Sequence, residues 1–205
     1  MPKPLKLSRQ KQLLVEGRDA EAFFYPFIET LGLKDDIQIH NYGSITELGS
    51  FLKQFVLLPQ YRSLPIASIG IIRDAENSAE SALQSVQSAL EKAELPLPHK
   101  VNTAVGENPQ VSIFILPDGQ QPGMIETLLL RAVENEPGFT CVDEYLKCII
   151  QATGIEPQPG DKARFLTFLA SRPDIKPLTG YAARAGYLNF DSSIYDPLKQ
   201  FLHTI

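Results

Sequence analysis

Few of the residues that announce a chemistry in an amino-acid sequence are present. Cys141 and Cys148 are the only cysteines. They stand seven residues apart on an expected helix, share a face and read as core positions. No Cys-x-x-Cys or His-x-x-x-His pair occurs, which excludes the usual spacings of a structural zinc site. His40, His99 and His203 are scattered, without the order of a catalytic triad. There is no Gly-x-x-x-x-Gly-Lys-Ser/Thr loop, so a P-loop ATPase is excluded, and no Gly-x-Gly-x-x-Gly to support a dinucleotide fold. No apolar run approaches the roughly 18 residues that a membrane-spanning helix needs. The basic start, residues 1–11, is not followed by a secretory apolar segment. The expectation is a cytoplasmic protein with no membrane contact. Internal repeats and low-complexity segments are also lacking.

What is there suffices for a folded core. The 205 residues are 43% hydrophobic and 21% charged, which fits one α/β domain or a domain with an appendage. A formal net charge of -5 argues against broad, nonspecific duplex binding, which depends on neutralising phosphates. It leaves room for a local basic surface. Lys162, Arg164, Arg172, Lys176 and Arg184 outnumber Asp161 and Asp174 in their segment, as an ordinary solvated face or as a phosphate track.

Hydrophobic periodicity alternates along the chain. Strands are expected at 12–15, 37–40, 66–72 and 111–116. Helices are expected at 19–31, at 45–57 from a Ser44 cap, and at 78–93 with Asn77 and Glu80 at capping-box spacing. Pro26 should kink or break the first helix. Residues 95–108 form a connection with a short edge strand near Val101, and 117–122 a turn. A helical tail follows, with segments at 123–133, 142–152, 162–170 and 193–202. This order implies an α/β fold with a mostly parallel four-stranded sheet flanked by helices.

Two of the strand-like runs end in acids. Leu13-Leu14-Val15 runs into Glu16-Gly17, and Ile69-Gly70-Ile71-Ile72-Arg73 runs into Asp74-Ala75-Glu76. Ligands gather at the carboxyl ends of strands in such sheets, so Glu16, Asp74 and Glu76 should converge on an acidic site suited to a divalent metal. Residues i and i+2 of a strand point the same way, so Asp74 and Glu76 can face one ion. Asp74 could instead cap the next helix, although Asn77 already supplies a cap. Asp19 is either a site acid or a first-turn acid favoured by the helix dipole. Glu126 shares a helix face with Leu129, Leu130 and Val133. A carboxylate buried there needs a partner or a metal. Asp118 is a turn residue or a further ligand. Gly17 permits a sharp turn and close approach of a phosphate, and Arg18 and Arg73 flank the acids.

Val15-Glu16-Gly17-Arg18-Asp19, Asp74-Ala75-Glu76, and Leu116-Pro117-Asp118 with Pro122-Gly123-Met124-Ile125-Glu126 carry a resemblance. Over about residues 11–118 the chain resembles a TOPRIM domain, the metal-binding module of topoisomerases, primases and OLD-family nucleases. Over most of its length it resembles a small stand-alone TOPRIM-like bacterial family, related to the OLD nucleases and of unassigned function. The resemblance implies a Rossmann-like TOPRIM domain at 1–135 and a helical extension at 136–205 packed on it. It implies phosphoryl transfer on nucleic acid, DNA or RNA, with Mg2+ or Mn2+, most simply by a nuclease. Glu16 would be general acid or base and metal ligand. Asp74, Glu76, Glu126 and Asp118 would complete the metal site, and Gly17, Arg18, Arg73, Lys162 and Arg164 would contact phosphate. The usual TOPRIM pair is Asp-x-Asp, whereas this chain has Asp74-x-Glu76, one methylene longer. A noncatalytic metal- or nucleic-acid-binding module in a larger system, with a partner protein or as a homo-oligomer, is the alternative. A phosphatase or receiver domain would need an aspartyl nucleophile with a fixed Lys and Ser/Thr, and these are not found.

Overall fold

A computed structural model describes residues 5–174 and 178–205. Lys176, one of the tail cations, lies outside the described residues. Four strands form one sheet: β1 (Lys11–Val15), β2 (Ile37–Asn41), β3 (Ser68–Asp74) and β4 (Gln110–Leu116). Their order is β2-β1-β3-β4, and all the pairings are parallel. Parallel neighbours require crossovers. These are α1 (Gly17–Thr30), then α2 (Leu48–Leu57) with α3 (Pro59–Ser63), then α4 (Ala79–Lys92). After β4 come α5 (Ile125–Val133), α6 (Phe139–Thr153), α7 (Gly160–Ala170) and α8 (Thr179–Arg184). A 3-10 turn (Ser193–Tyr195) leads into α9 (Asp196–Thr204). This is a Rossmann-like α/β architecture.

The inner strand β3 and its neighbour β4 are apolar through most of their length because both faces of the sheet are covered, whereas the edge strand β2 alternates. Alternate side chains divide between two cores. Leu13, Val15, Ile72, Phe114 and Leu116 pack with Phe23 and Phe27 of α1, Leu129 of α5, Phe168 of α7 and Phe201 of α9. Leu14, Ile69, Ile71, Ile113 and Ile115 pack with Leu52 and Phe55 of α2 and Val86 and Leu90 of α4. The C-terminal helices therefore complete the first core. Gly70 in β3 leaves no room for a side chain because Ile205 and Phe201 press on it, about 3 Å from where a Cβ would stand.

Several local expectations are corrected. Pro26 does not end α1, which continues to Thr30. Proline deprives the Ala22 carbonyl of its helical donor, and that carbonyl lies against α8. A Cβ on Gly180 would come within 2.7 Å of it, so glycine allows the two helices to touch at this point. The helix expected at 45–57 starts only at Leu48, because Glu47 folds back to accept from the Ser44 backbone N–H and hydroxyl. Ser78, and not Asn77, caps α4 by accepting from the Ser81 N–H. The short strand near Val101 is replaced by an antiparallel bridge between Val105 and Val111. Cys141 and Cys148 are exposed and free, since α7 covers the opposite side of α6. α3 and α8 were not expected. Among the described residues no helix is long and apolar enough to cross a membrane.

Candidate functional site

The chain passes from β1 outward to β2, then returns across β1 to β3 and β4. The switch point lies between the carboxyl ends of β1 and β3, where such sheets open a crevice. Register places Val15 beside Ile72, so Glu16 and Asp74 emerge from neighbouring strands on the same edge. A cleft of about 360 Å³ lies there. Glu16, Asp19, Asp74, Glu76 and Glu126 contribute its acids, Arg18 and Lys162 its cations, and Gly17 and the start of α5 part of its wall.

Local sequence explains each placement. Gly17 has φ +75, a conformation that glycine adopts at little cost, and its N–H donates to the Gly43 carbonyl at 2.9 Å. That turn starts α1 directly after Glu16. Asp74 is the last residue of β3, and its Oδ1 accepts from the Ile125 N–H at 2.9 Å. It therefore receives the first turn of α5, not of α4, and the helix dipole favours a carboxylate there. Glu76 is not on the strand. It has φ +52 and exchanges two backbone hydrogen bonds with Gly123, each 2.8 Å. A left-handed glutamate costs on the order of 1 kcal/mol or more, and the pairing across to Gly123 holds it. Glu126 occupies the first turn of α5 with its side chain 4% exposed.

The charges inside the cleft are unevenly matched. Lys162 Nζ donates to Asp19 Oδ2 at 2.8 Å and lies 3.2 Å from Glu126 Oε1. The hydrogen bond to Asp19 raises its pKa above the ordinary lysine value, with Glu126 adding to the effect, so Lys162 is charged. Burial raises the Glu16 carboxyl, and Arg73 partly offsets this. Asp74 is pushed up to about 8, first by burial and then by Glu16, Glu126 and Glu76, while the Ile125 N–H pulls it back. Three carboxylates, Glu16, Glu126 and Glu76, thus disfavour the charged form of Asp74. Their oxygens are the donor type that suits a hard cation. Among the described residues no three His, Cys, Asp or Glu side chains already stand within reach of one ion. Gathering a cation would require their rotation, which the exposed Glu76 is free to make.

Other nominated residues lie elsewhere. Asp118 accepts from the Gln120 and Gln121 N–H groups at 3.0 and 2.8 Å and pairs with Arg131 at 2.7 Å, so it closes the turn after β4. Arg164 is held by Asp143 through two hydrogen bonds of 2.8 and 2.9 Å, in a groove between α6 and α7 outside the cleft. Arg73 stands behind Glu16. Its Nη1 donates to the Ala82 carbonyl at 2.8 Å, and its Nε is 3.9 Å from Glu16 Oε2. Arg184 is exposed. Tyr42 was not anticipated from sequence. It is buried, and its hydroxyl lies 3.1 Å from the Ile72 carbonyl and 3.5 Å from Glu16 Oε2. Its position directly before Gly43, whose carbonyl meets Gly17, carries no signal of that role.

The fold and cleft define a Rossmann-like α/β protein with an acidic crevice at its topological switch point. The chain belongs to the family described as "Protein of unknown function (DUF3226)", which it matches over residues 10–205. Comparison with curated proteins gives no match. Two solved structures of the C-terminal region of the Xanthomonas campestris pv. campestris OLD protein are similar to it, one phased with mercury and one with iodine. Their TM-scores are 0.47 and 0.46, with 12% and 13% identity, and the match covers 96% of this chain and 95% of theirs.

Proposed function

We propose that the chain is a TOPRIM-like cytoplasmic protein that carries out divalent-metal-dependent phosphoryl transfer on nucleic acid, most simply phosphodiester hydrolysis. The observation that carries this reading is the convergence of Glu16, Asp19, Asp74, Glu76 and Glu126 on one cleft at the switch point. Three of these acids raise the cost of ionising Asp74, a cost that a cation would remove. In this reading the acids stand on a TOPRIM-like domain of residues 1–135, and Lys162 on a helical extension of residues 136–205.

Asp74, Glu76 and Glu126, with Glu16, would hold Mg2+ or Mn2+. Bound there, the ion would lower the pKa of a coordinated water and offset charge on the phosphate. Glu16, raised from its ordinary value by burial and backed by Tyr42 and Arg73, is placed to accept and return a proton. Arg18 and Lys162 supply positive charge for phosphate oxygens. Asp118 and Arg164 have no part in it.

The test is incubation with single-stranded DNA, duplex DNA and RNA in Mg2+ or Mn2+. At least one substrate should be cut only with metal, and Asp74→Ala should abolish the cut. Intact substrates under every condition, or unchanged cutting by Asp74→Ala, would overturn the enzyme reading. One observation favours the alternative of a noncatalytic module with a partner protein or a second copy. Lys162 already neutralises much of the charge on Asp19 and Glu126. Metal binding without cleavage of any substrate would select that alternative.

A further inference from the structure

Lys162 enters the acidic cleft from α7, a helix outside the strand–helix alternation that carries the acids. Its ammonium lies between Asp19, at 2.8 Å, and Glu126, at 3.2 Å. Glu126 is 4% exposed, and Lys162 is the ion-pair partner found for it among the described residues. An ionised carboxylate so deeply placed is strongly destabilising without a counter-charge.

The anchor and the charge are separable. α7 is fixed by Phe165, Phe168 and Leu169, all buried, and by Asp161, which accepts from Thr127 Oγ1 at 2.5 Å. The lysine side chain itself is 40% exposed. A compact ammonium on a flexible four-carbon stem can leave toward solvent while its helix stays in place.

We propose that Lys162 is a built-in counter-cation, whose ammonium stands where a divalent cation would be drawn by Glu126 and Asp19, so that cation entry and Lys162 compete. This inference rests on the metal reading given above. The coupling is reciprocal. By as much as Lys162 weakens the cation, the cation weakens the hold on Lys162. The displaced ammonium then faces the cleft mouth, where an anionic substrate would meet it. Metal loading and presentation of a free positive charge become one event.

The competition predicts opposite signs for affinity and stability. Mn2+ titration followed by the electron paramagnetic resonance signal of the free ion measures binding directly, and melting curves without metal measure the lost pairing. Lys162→Met should lower the metal-free melting temperature yet bind Mn2+ roughly ten-fold tighter than wild type. Lys162→Arg keeps the charge and should not tighten binding. If the methionine variant does not fold, Lys162→Gln, which retains a donor for Glu126, serves in its place with the same expected gain. Wild-type binding with equal or weaker binding by the neutral variant would overturn the counter-cation role and leave the metal reading standing. Absence of Mn2+ binding by both proteins would overturn the metal reading, and this inference with it.

Discussion

Two polar clusters flank β1, and they solve burial by opposite means. Toward β2, Gln12 is fully buried and its Oε1 lies 2.7 Å from His40 Nε2. The Gln12 amide also donates to the Arg9 carbonyl. His40 packs beside Phe51 and Phe55, and burial lowers its pKa to about 4, so the ring is neutral at pH 7. Toward β3, the cleft gathers acids, and the charged form of Asp74 is disfavoured by burial and by three carboxylate neighbours. The first cluster is complete within the fold. The second leaves its carboxylates only partly matched, and that contrast makes it the candidate site.

The largest expected effect would break this contrast at Asp74. A carboxyl raised from 3.8 to about 8 binds its proton more tightly in the folded state. Its contribution to stability is fully present below about pH 3.8 and is lost as pH rises through about 8. Asp74→Asn keeps an oxygen for the Ile125 N–H and removes the repulsion. Without metal it should be more stable than wild type at pH 8, by about 2–4 kcal/mol, with a flatter stability–pH curve between pH 4 and 8. Urea melts across that range measure both. A variant less stable than wild type at pH 8 would mean that Asp74 is ionised and already satisfied, like Gln12.

The Gln12–His40 pair sharpens the comparison from the other side. Gln12→Leu leaves the buried imidazole without its partner and should cost about 1–3 kcal/mol. Adding His40→Phe should recover part of that loss, since two apolar groups need no partner. The pH sign is the reverse of that for Asp74. A histidine lowered to about 4 gives stability that is present above its ordinary value of 6.5 and lost as pH falls through about 4. Denaturant melts of the single and double variants at pH 7, with wild type followed down to pH 4, check both statements. A double variant no better than the single would show that Gln12 acts by shape alone.

The framework was legible where one physical signal dominated. The three apolar runs and the alternating run at 37–40 became the four strands, because the inner strands of a sheet covered on both faces need continuous hydrophobicity and an edge strand does not. Strand-end acids marked the cleft for the same topological reason, and Glu126 was marked by an apolar helix face around an acid. Long-range pairings stayed hidden. Alternation put Glu76 on a strand, but its backbone is set by Gly123, 47 positions away in the chain. Lys162 read as a surface cation, since its partners Asp19 on α1 and Glu126 on α5 meet it only in the folded chain. α8 was invisible because it buries Gly180, Ala182 and Ala183, small residues with no hydrophobic period. Spacing put the two cysteines on one face of α6 but could not tell which face would be covered.

The smallest expected effect separates the cations of the cleft from those of the tail. Both groups read alike in sequence, as a basic track. In the structure Arg164 is forked onto Asp143 and stands 5.2 Å from the centre of the Phe139 ring. Arg172 pairs with Glu136 and lies 4.2 Å over Phe168. Arg18 is exposed on the cleft itself. A guanidinium already committed to a carboxylate and a ring neutralises phosphate poorly and frees few of the counterions condensed on the nucleic acid, whereas a solvated one frees about 0.7 per contact on a single strand. Binding to single-stranded DNA in Mg2+ can be followed by fluorescence anisotropy in an Asp74→Ala background, which prevents cutting. There Arg18→Ala should reduce the slope of log affinity against log salt by about 0.7. Arg164→Ala should leave that slope unchanged and cost at most about 1 kcal/mol of stability, as a largely exposed pair does. Equal flattening by both substitutions would extend the nucleic-acid track over the tail helices and break the proposed separation of cleft from tail.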